Sequence, residues 1–143
     1  MRRFEHAIVA AERPFDPTLR DGAVEYYDIG ALLASEDARV VLAEDGPTVV
    51  GCGFARIDVS KPYLRHGRHA YLGLMYTDPA SRGAGVNRRI VDALAQWCRT
   101  RGITELRLDV YAGNAAAISA YQKAGFSPHL VEMRLGLNPT GQD

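Results

Sequence analysis

Apolar positions recur with two different periods along the chain, and the changes of period divide it into elements. Residues 3–11 (RFEHAIVAA) fit a short helix that Pro14 and Pro17 bring to an end. Between residues 18 and 34, Leu19, Val24, Tyr27, Ile29, Leu32 and Leu33 fall at loosely helical spacing, which predicts one or two short helices despite the weakening effect of Gly22 and Gly30. Arg39–Ala43 and Thr48–Ile57, joined by Glu44-Asp45-Gly46-Pro47, predict a hairpin, and Ala70–Tyr76 (AYLGLMY) a third strand ending at Asp78-Pro79. The period then lengthens. Over 86–101, Val86, Ile90, Val91, Leu94, Trp97 and Cys98 share one helical face, with Arg88, Arg89, Asp92, Gln96 and Arg99 opposite and Gly102 as the C-terminal stop. Leu106, Leu108 and Val110 alternate with Glu105, Arg107 and Asp109 as a strand, Asn114 opens a helix that Gly125 closes, and 126–135 predicts a last strand.

The order hairpin, strand, helix, strand, helix, strand is a mixed α+β arrangement with one strand–helix–strand crossover. At 143 residues with 47% hydrophobic content, the chain is expected to fold as one domain over 1–143. Seventeen basic and seventeen acidic side chains cancel, so no overall field draws nucleic acid or an anionic membrane, and a small-molecule partner is expected. Cys52 and Cys98 have no second cysteine nearby, which excludes a metal-ligand spacing and suggests buried thiols. No run approaches the ~20 apolar residues of a membrane span, and a cytoplasmic location is expected.

The most informative stretch is Arg82-Gly83-Ala84-Gly85-Val86-Asn87, followed by Arg88 and Arg89, between the third strand and the long helix. Glycines let backbone approach a ligand and point amides at it, and a helix N-terminus adds about half a positive charge. Two arginines in the first turn oppose the helix dipole by a few tenths of a kcal/mol, a cost that a bound anion offsets. A nucleoside-triphosphate loop needs Gly-Lys followed by Ser or Thr, and a dinucleotide fold needs GxGxxG opening a parallel sheet, so both are excluded here.

In this stretch the chain resembles the GNAT (Gcn5-related N-acetyltransferase) superfamily, whose motif places Arg or Gln, two residues, Gly, one residue, then Gly or Ala after a strand ending near Asp-Pro. Arg82, Gly85 and Asn87 take those positions, with Asn87 a departure from the small residue. A second family feature, a strand, then Asn, a small-residue helix start, Tyr seven positions on and Gly-aromatic, is matched by Asn114, Tyr121, Gly125 and Phe126. The resemblance covers about residues 38–135 and implies a mixed, mostly antiparallel, splayed sheet flanked by helices. The family's own first strand is not evident in the first 37 residues. Its absence would leave an open edge that a second subunit could cover, giving a homodimer.

The resemblance implies an N-acetyltransferase that moves an acetyl group from acetyl-CoA to an amine of a small molecule or peptide by direct attack, without a metal. The alternative is an acyl-CoA-binding or sensor module without turnover. By the same resemblance, backbone around Met75, Tyr76 and Thr77 pairs with pantetheine, the 82–88 turn (Arg82, Gly83, Ala84, Gly85, Val86, Asn87, Arg88) takes the pyrophosphate, and Asn114 either caps its helix or binds pantetheine. Tyr121 is the candidate general acid for the leaving thiolate, or else a core aromatic between Ile118 and Phe126. Asp109 is a candidate base or a solvated strand charge. On the acceptor side, Tyr63, Arg65, His66, Arg68 and His69 of the 58–69 loop, with Glu25, Tyr26, Tyr27 and Asp28, are either a polar surface or, if the basic cluster faces the cleft, a site for an amine that also carries a carboxylate.

Overall fold

The computed structural model describes residues 1–137. Its elements are helix α1 (Arg2–Glu12), helix α2 (Ile29–Ala34), strands β1 (Ala38–Asp45), β2 (Thr48–Val59) and β3 (Arg68–Thr77), helix α3 (Val86–Thr100), strand β4 (Leu106–Arg107) and helix α4 (Ala115–Lys123). The four strands form one sheet in the order β1-β2-β3-β4, antiparallel except for the β3–β4 pair, which is parallel because α3 carries the chain across. Among the described residues no strand precedes β1, and the chain opens directly on α1.

Alternation along β2 sorts its residues between two layers. Cys52 and Phe54 pack on one face with Phe4 of α1, Leu32 of α2 and Leu74. Ala55 faces the other way, into a cluster with Ala70, Leu72, Ile90, Leu94, Cys98 and Ile103. Between them the Gly51-Cys52-Gly53 run solves a spacing problem, since a Cβ on Gly53 would lie 2.5 Å from Met75 Sδ and 2.9 Å from Ile90 Cγ2. Bare backbone at this point lets α3 lie directly on the sheet. The helix ends as its sequence predicts, with Gly102 at φ 73°, Ile103 N–H donating to Cys98 O and Gly102 N–H to Arg99 O.

On the opposite face, a buried carboxylate fixes α1. Glu5 is fully buried, accepts from Arg2 at 2.8 Å, and takes the backbone N–H groups of Tyr26 and Tyr27 at 3.0 Å each. A charge in such a place persists only when paired and hydrogen-bonded. It thereby ties the irregular stretch before α2 to α1, and of the one or two short helices expected over 18–34 one forms, Ile29–Ala34.

Two expectations are corrected. The strand predicted over 106–110 is ladder-bonded only at Leu106 and Arg107, because β3 and the chain after Arg107 separate there. The strand predicted over 126–135 has no strand partner among the described residues, and the side chains from Ser127 to Leu137 are exposed. Alternating apolar residues satisfy only half of what a strand needs; the other half is a neighbour.

Replacing Gly53 by alanine forces Met75 and Ile90 aside and is expected to lower unfolding free energy by about 1–3 kcal/mol. Urea denaturation should show the loss with an unchanged slope, and an unaltered midpoint would show that α3 does not rest on this backbone.

Candidate active site between parted strands

β3 meets β4 through Ala70 opposite Leu106 and Tyr71 opposite Arg107, and then runs on to Thr77 with no strand beside it on that side among the described residues. The gap is reinforced by a bulge. Phe54 pairs with Gly73 and Cys52 with Tyr76, so Leu74 and Met75 together stand against the single residue Gly53. Leu74 takes φ 52°, a left-handed conformation unusual for a branched side chain, and its carbonyl accepts from the Cys52 thiol at 3.2 Å. Strained backbone of this kind persists only where surrounding packing over-determines it, and both Cys52 and Leu74 lie in the core. Thr77, at the open end of the strand, has a buried Oγ1 with no hydrogen-bond partner among the described residues.

The glycine-rich turn lies just past this open end. Gly83 at φ 85° and Gly85 at φ 78° both need the left-handed region, and a Cβ at either would meet nothing within 4 Å. The turn is therefore glycine for conformation, with open space outside it. Arg89 N–H closes the first turn of α3 on Gly85 O, leaving the amides of Val86, Asn87 and Arg88 without intrahelical partners. Arg82 braces the turn by donating from Nε to Thr77 O at 3.1 Å, with its guanidinium 5.8 Å from the Tyr76 ring. Arg88 reaches both Asp92 and the Lys123 carbonyl, joining the start of α3 to the end of α4. Ala84 is exposed and Asn87 half-buried.

Across the gap, Asn114 caps α4 by accepting from Ala117 N–H at 3.1 Å, which settles the capping half of its two expected roles. Tyr121 sits edge-on to Phe126, ring centroids 5.7 Å apart. Burial, with smaller contributions from the charges of Glu12 and Tyr27, pushes the Tyr121 hydroxyl up to about 12. Asp109 is exposed and accepts from the Tyr71 hydroxyl at 3.2 Å. Tyr71 itself lies under the Arg56 guanidinium, 5.1 Å from its centroid, and adjoins Tyr27; burial raises the Tyr71 hydroxyl above the ordinary phenol range.

Residues from the N-terminal helix complete this wall. The carboxyl of Glu12 is raised, chiefly by burial, with Asp16 adding repulsion and Tyr26 opposing the rise. The Tyr26 hydroxyl is buried without a well-formed hydrogen bond among the described residues, next to Glu12 and Tyr111. Tyr111 stacks on Phe15 and donates to Asp16 at 3.0 Å, which fastens the turn after α1 to the chain after β4. Glu12, Tyr27, Tyr71 and Tyr111 had no signal as a group in the sequence, being spread from one end of the fold to the other. By contrast, the 58–69 loop is at the other end of β3, where Ser60 N–H donates to Gly67 O and Tyr63 is 77% exposed. Arg65, His66 and Arg68 thus join the solvated surface, His69 is half-buried with Nδ1 2.8 Å from Ser60 Oγ, and of the acceptor-side candidates Tyr26 and Tyr27 reach the wall.

With that geometry in place, a model of the acetyltransferase (GNAT) family matches residues 5–126. The chain belongs to the GNAT family. It is 34% identical over 105 residues to an aminoglycoside N(6')-acetyltransferase type 1 of Klebsiella aerogenes, covering 70% of this chain and 68% of that protein. It is 32% identical over 95 residues to an IAA acetyltransferase of Azospirillum brasilense, covering 66% of this chain but only 58% of that protein. Among solved structures, a mutant of the BH1408 protein from Bacillus halodurans superposes with a TM-score of 0.85 at 18% identity, covering 96% of this chain and 91% of that one. A predicted acetyltransferase of Clostridium acetobutylicum, solved with acetyl-CoA, superposes at 0.66 with 21% identity, covering 96% and 92%. The GNAT fold expected from the two motifs is therefore the fold observed. No helix among the described residues is long and apolar enough to cross a membrane.

The Asp16 carboxyl is held down to about 2, first by hydrogen bonds from the Thr18 hydroxyl and amide, then with help from Tyr111. A depressed carboxyl stabilises the fold above its unfolded value of about 3.9, and that stability is lost as pH falls from about 4 toward 2. Thermal melts over this range should fall more steeply for the parent GNAT protein than for Asp16→Asn, and parallel curves would show that the Asp16 contacts do not anchor the turn.

Proposed function

We propose that this protein is an acetyl-CoA-dependent N-acetyltransferase whose acceptor is a cationic small-molecule amine. The observation that carries this reading is the parting of β3 from β4 at a strained bulge, directly before a glycine turn with open space around it. Free strand edge at Met75, Tyr76 and Thr77 suits the amide groups of a pantetheine arm, and the unpartnered Thr77 hydroxyl offers a further polar contact. Gly83 to Arg88 suit a pyrophosphate, with unsatisfied amides at a helix start and arginine beside them. Acetyl-CoA, when bound, supplies an activated acetyl thioester. The acceptor class follows from the opposite wall, where carboxylates and phenols predominate and the basic loop is remote. The relatives named for aminoglycoside acetylation support an amine acceptor.

Each residue then has a task set by its surroundings. An alkylammonium titrates near ~10 and must lose a proton before it can attack. Glu12, whose carboxyl burial lifts above the ordinary range, is assigned as the base; Asp109, engaged by Tyr71, holds the cationic acceptor in place. An amide at the Leu74–Met75 bulge is assigned to the developing oxyanion, a contribution worth roughly 3–4 kcal/mol in acyl transfer. Tyr121 stays protonated at neutral pH and donates to the departing sulfur. At about 12 its hydroxyl is a weaker acid than an unperturbed phenol, so its assigned part is a hydrogen bond to sulfur with less complete proton transfer.

Thiol release from acetyl-CoA over a panel of aminoglycosides, polyamines and amino acids tests the reading. Polycations should be acetylated in preference to amino acids, and acetyl-CoA should raise the melting temperature. Stabilisation by acetyl-CoA with no amine acetylated would replace the enzyme by a binding module. Glu12→Gln is expected to lower kcat by about 10²–10⁴ and to abolish the acidic limb of the pH–rate profile. An unchanged limb would remove Glu12 as base.

A further inference from the structure

The stretch before α2 carries Tyr26 and Tyr27 side by side, outside any helix or strand. Such a stretch has no ladder to fix its direction, and Glu5 takes the place of one. Glu5 Oε2 accepts both tyrosine amides at 3.0 Å, Oε1 accepts from Arg2 at 2.8 Å, and the whole residue is out of water. Losing either amide would remove part of what offsets the desolvation of this carboxylate, so the two amides are held together.

One anchor thus sets two side chains that diverge. The Tyr26 and Tyr27 rings stand at 83° to each other with centroids 6.1 Å apart. Tyr27 turns onto the sheet, where its ring meets Phe54 edge-on at 4.8 Å and its hydroxyl would lie 2.9 Å from a Cβ on Gly73. Glycine at 73 admits this hydroxyl, which comes to rest beside Tyr71, the donor to Asp109. Tyr26 leads instead to Glu12 and Tyr111, and its hydroxyl is buried without a well-formed hydrogen bond among the described residues.

The surroundings of Glu12 give that hydroxyl its use. The titratable groups that face this carboxyl are Asp16 of the following turn, Tyr26, Tyr27, Tyr111 of the chain after β4 and Tyr121 of α4. None of these is a cation. Burial raises the carboxyl and Asp16 raises it further, so a hydrogen bond has to hold its charged form, and Tyr26 opposes the rise in this way. A buried donor without a partner is costly, and a carboxylate that has released its proton is the acceptor that satisfies it.

We propose that Tyr26 and Tyr27 are a positioning pair hung from Glu5, the Tyr26 hydroxyl fixing the Glu12 carboxylate and the Tyr27 hydroxyl fixing, through Tyr71, the Asp109 carboxylate. The pair rests on the reading of Glu12 as base and Asp109 as acceptor anchor, and it joins them. A single buried carboxylate then sets the distance between the group that takes the proton and the group that holds the rest of the acceptor. Any displacement of the stretch before α2 moves both.

Carbon-13 spectra of the carboxyl groups in the full chain test the pair without turnover, with the Glu12 and Asp109 signals identified by their loss in Glu12→Gln and Asp109→Asn. Tyr26→Phe should move the Glu12 titration midpoint to higher pH. Tyr27→Phe should leave that midpoint in place and displace the Asp109 resonance at neutral pH. Either resonance unmoved by its own variant, in a protein that remains folded, would overturn the pair. The amides of Tyr26 and Tyr27 should exchange with solvent slowly and alike, and fast exchange at either would overturn the Glu5 anchor. With an aminoglycoside as acceptor, Tyr27→Phe should raise KM about fivefold with little change in kcat, whereas Tyr26→Phe should shift the acidic limb of the pH–rate profile. The two effects exchanged would overturn the assignment. Unmoved resonances with a limb that Glu12→Gln still abolishes would leave the base standing without its pair; moved resonances with no amine acetylated would keep the pair and remove the enzyme.

Discussion

The separation of β3 from β4 is the constraint on which the rest of the molecule turns. A parallel pair normally propagates along its length, since each added residue gains a hydrogen bond and a side-chain neighbour. Here the pair stops after two positions because the bulge at Leu74 redirects β3, and the bulge survives because Cys52, Phe54 and Leu74 are locked in a core on the side of α1. The glycine turn begins just past the end of β3, Arg88 ties the start of α3 to the end of α4, and the turn after α1 leans on Tyr111.

The gap also explains why two glycine-rich stretches in this chain have different causes. Gly51 and Gly53 are small because α3 must sit on the strand, whereas Gly83 and Gly85 are there for backbone conformation and have open space outside them. Near-identical local sequences, Gly-Cys-Gly and Gly-Ala-Gly, thus serve packing in one case and the conformation of an exposed turn in the other. A side chain added at the first collides with α3; at the second it faces only conformational strain.

Much of the architecture was legible from periodicity, and the family from motifs. The hairpin, β3, α3 and α4 are where alternation and helical spacing place them, because each has a partner close in sequence or a full amphipathic face. Arg82–Asn87 and Asn114–Phe126 carry their meaning locally, and so the family membership was legible too. What was hidden depends on long separations. Glu5 binds amides more than 20 positions away, Tyr111 meets Asp16 across 95, and Tyr71 meets Asp109 across 38. No spacing rule links such residues, so the wall formed by Glu12 and the tyrosines could be found only in three dimensions. Residues 126–135 illustrate the reverse, for there the pattern is strongly that of a strand and the neighbour is missing.

The buried latch at Glu5 has a bearing on how the chain is made. Synthesis delivers α1 well before its seat, which is composed of Phe54, Leu74 and Tyr76, and Arg3 finds Asp78 only 75 residues later. At about 5–20 residues per second, the amphipathic helix waits several seconds beside the ribosome with Phe4 and Val9 uncovered. This helix emerges well before the strands it docks on, so its apolar face is a part of the nascent chain that needs shielding by a chaperone.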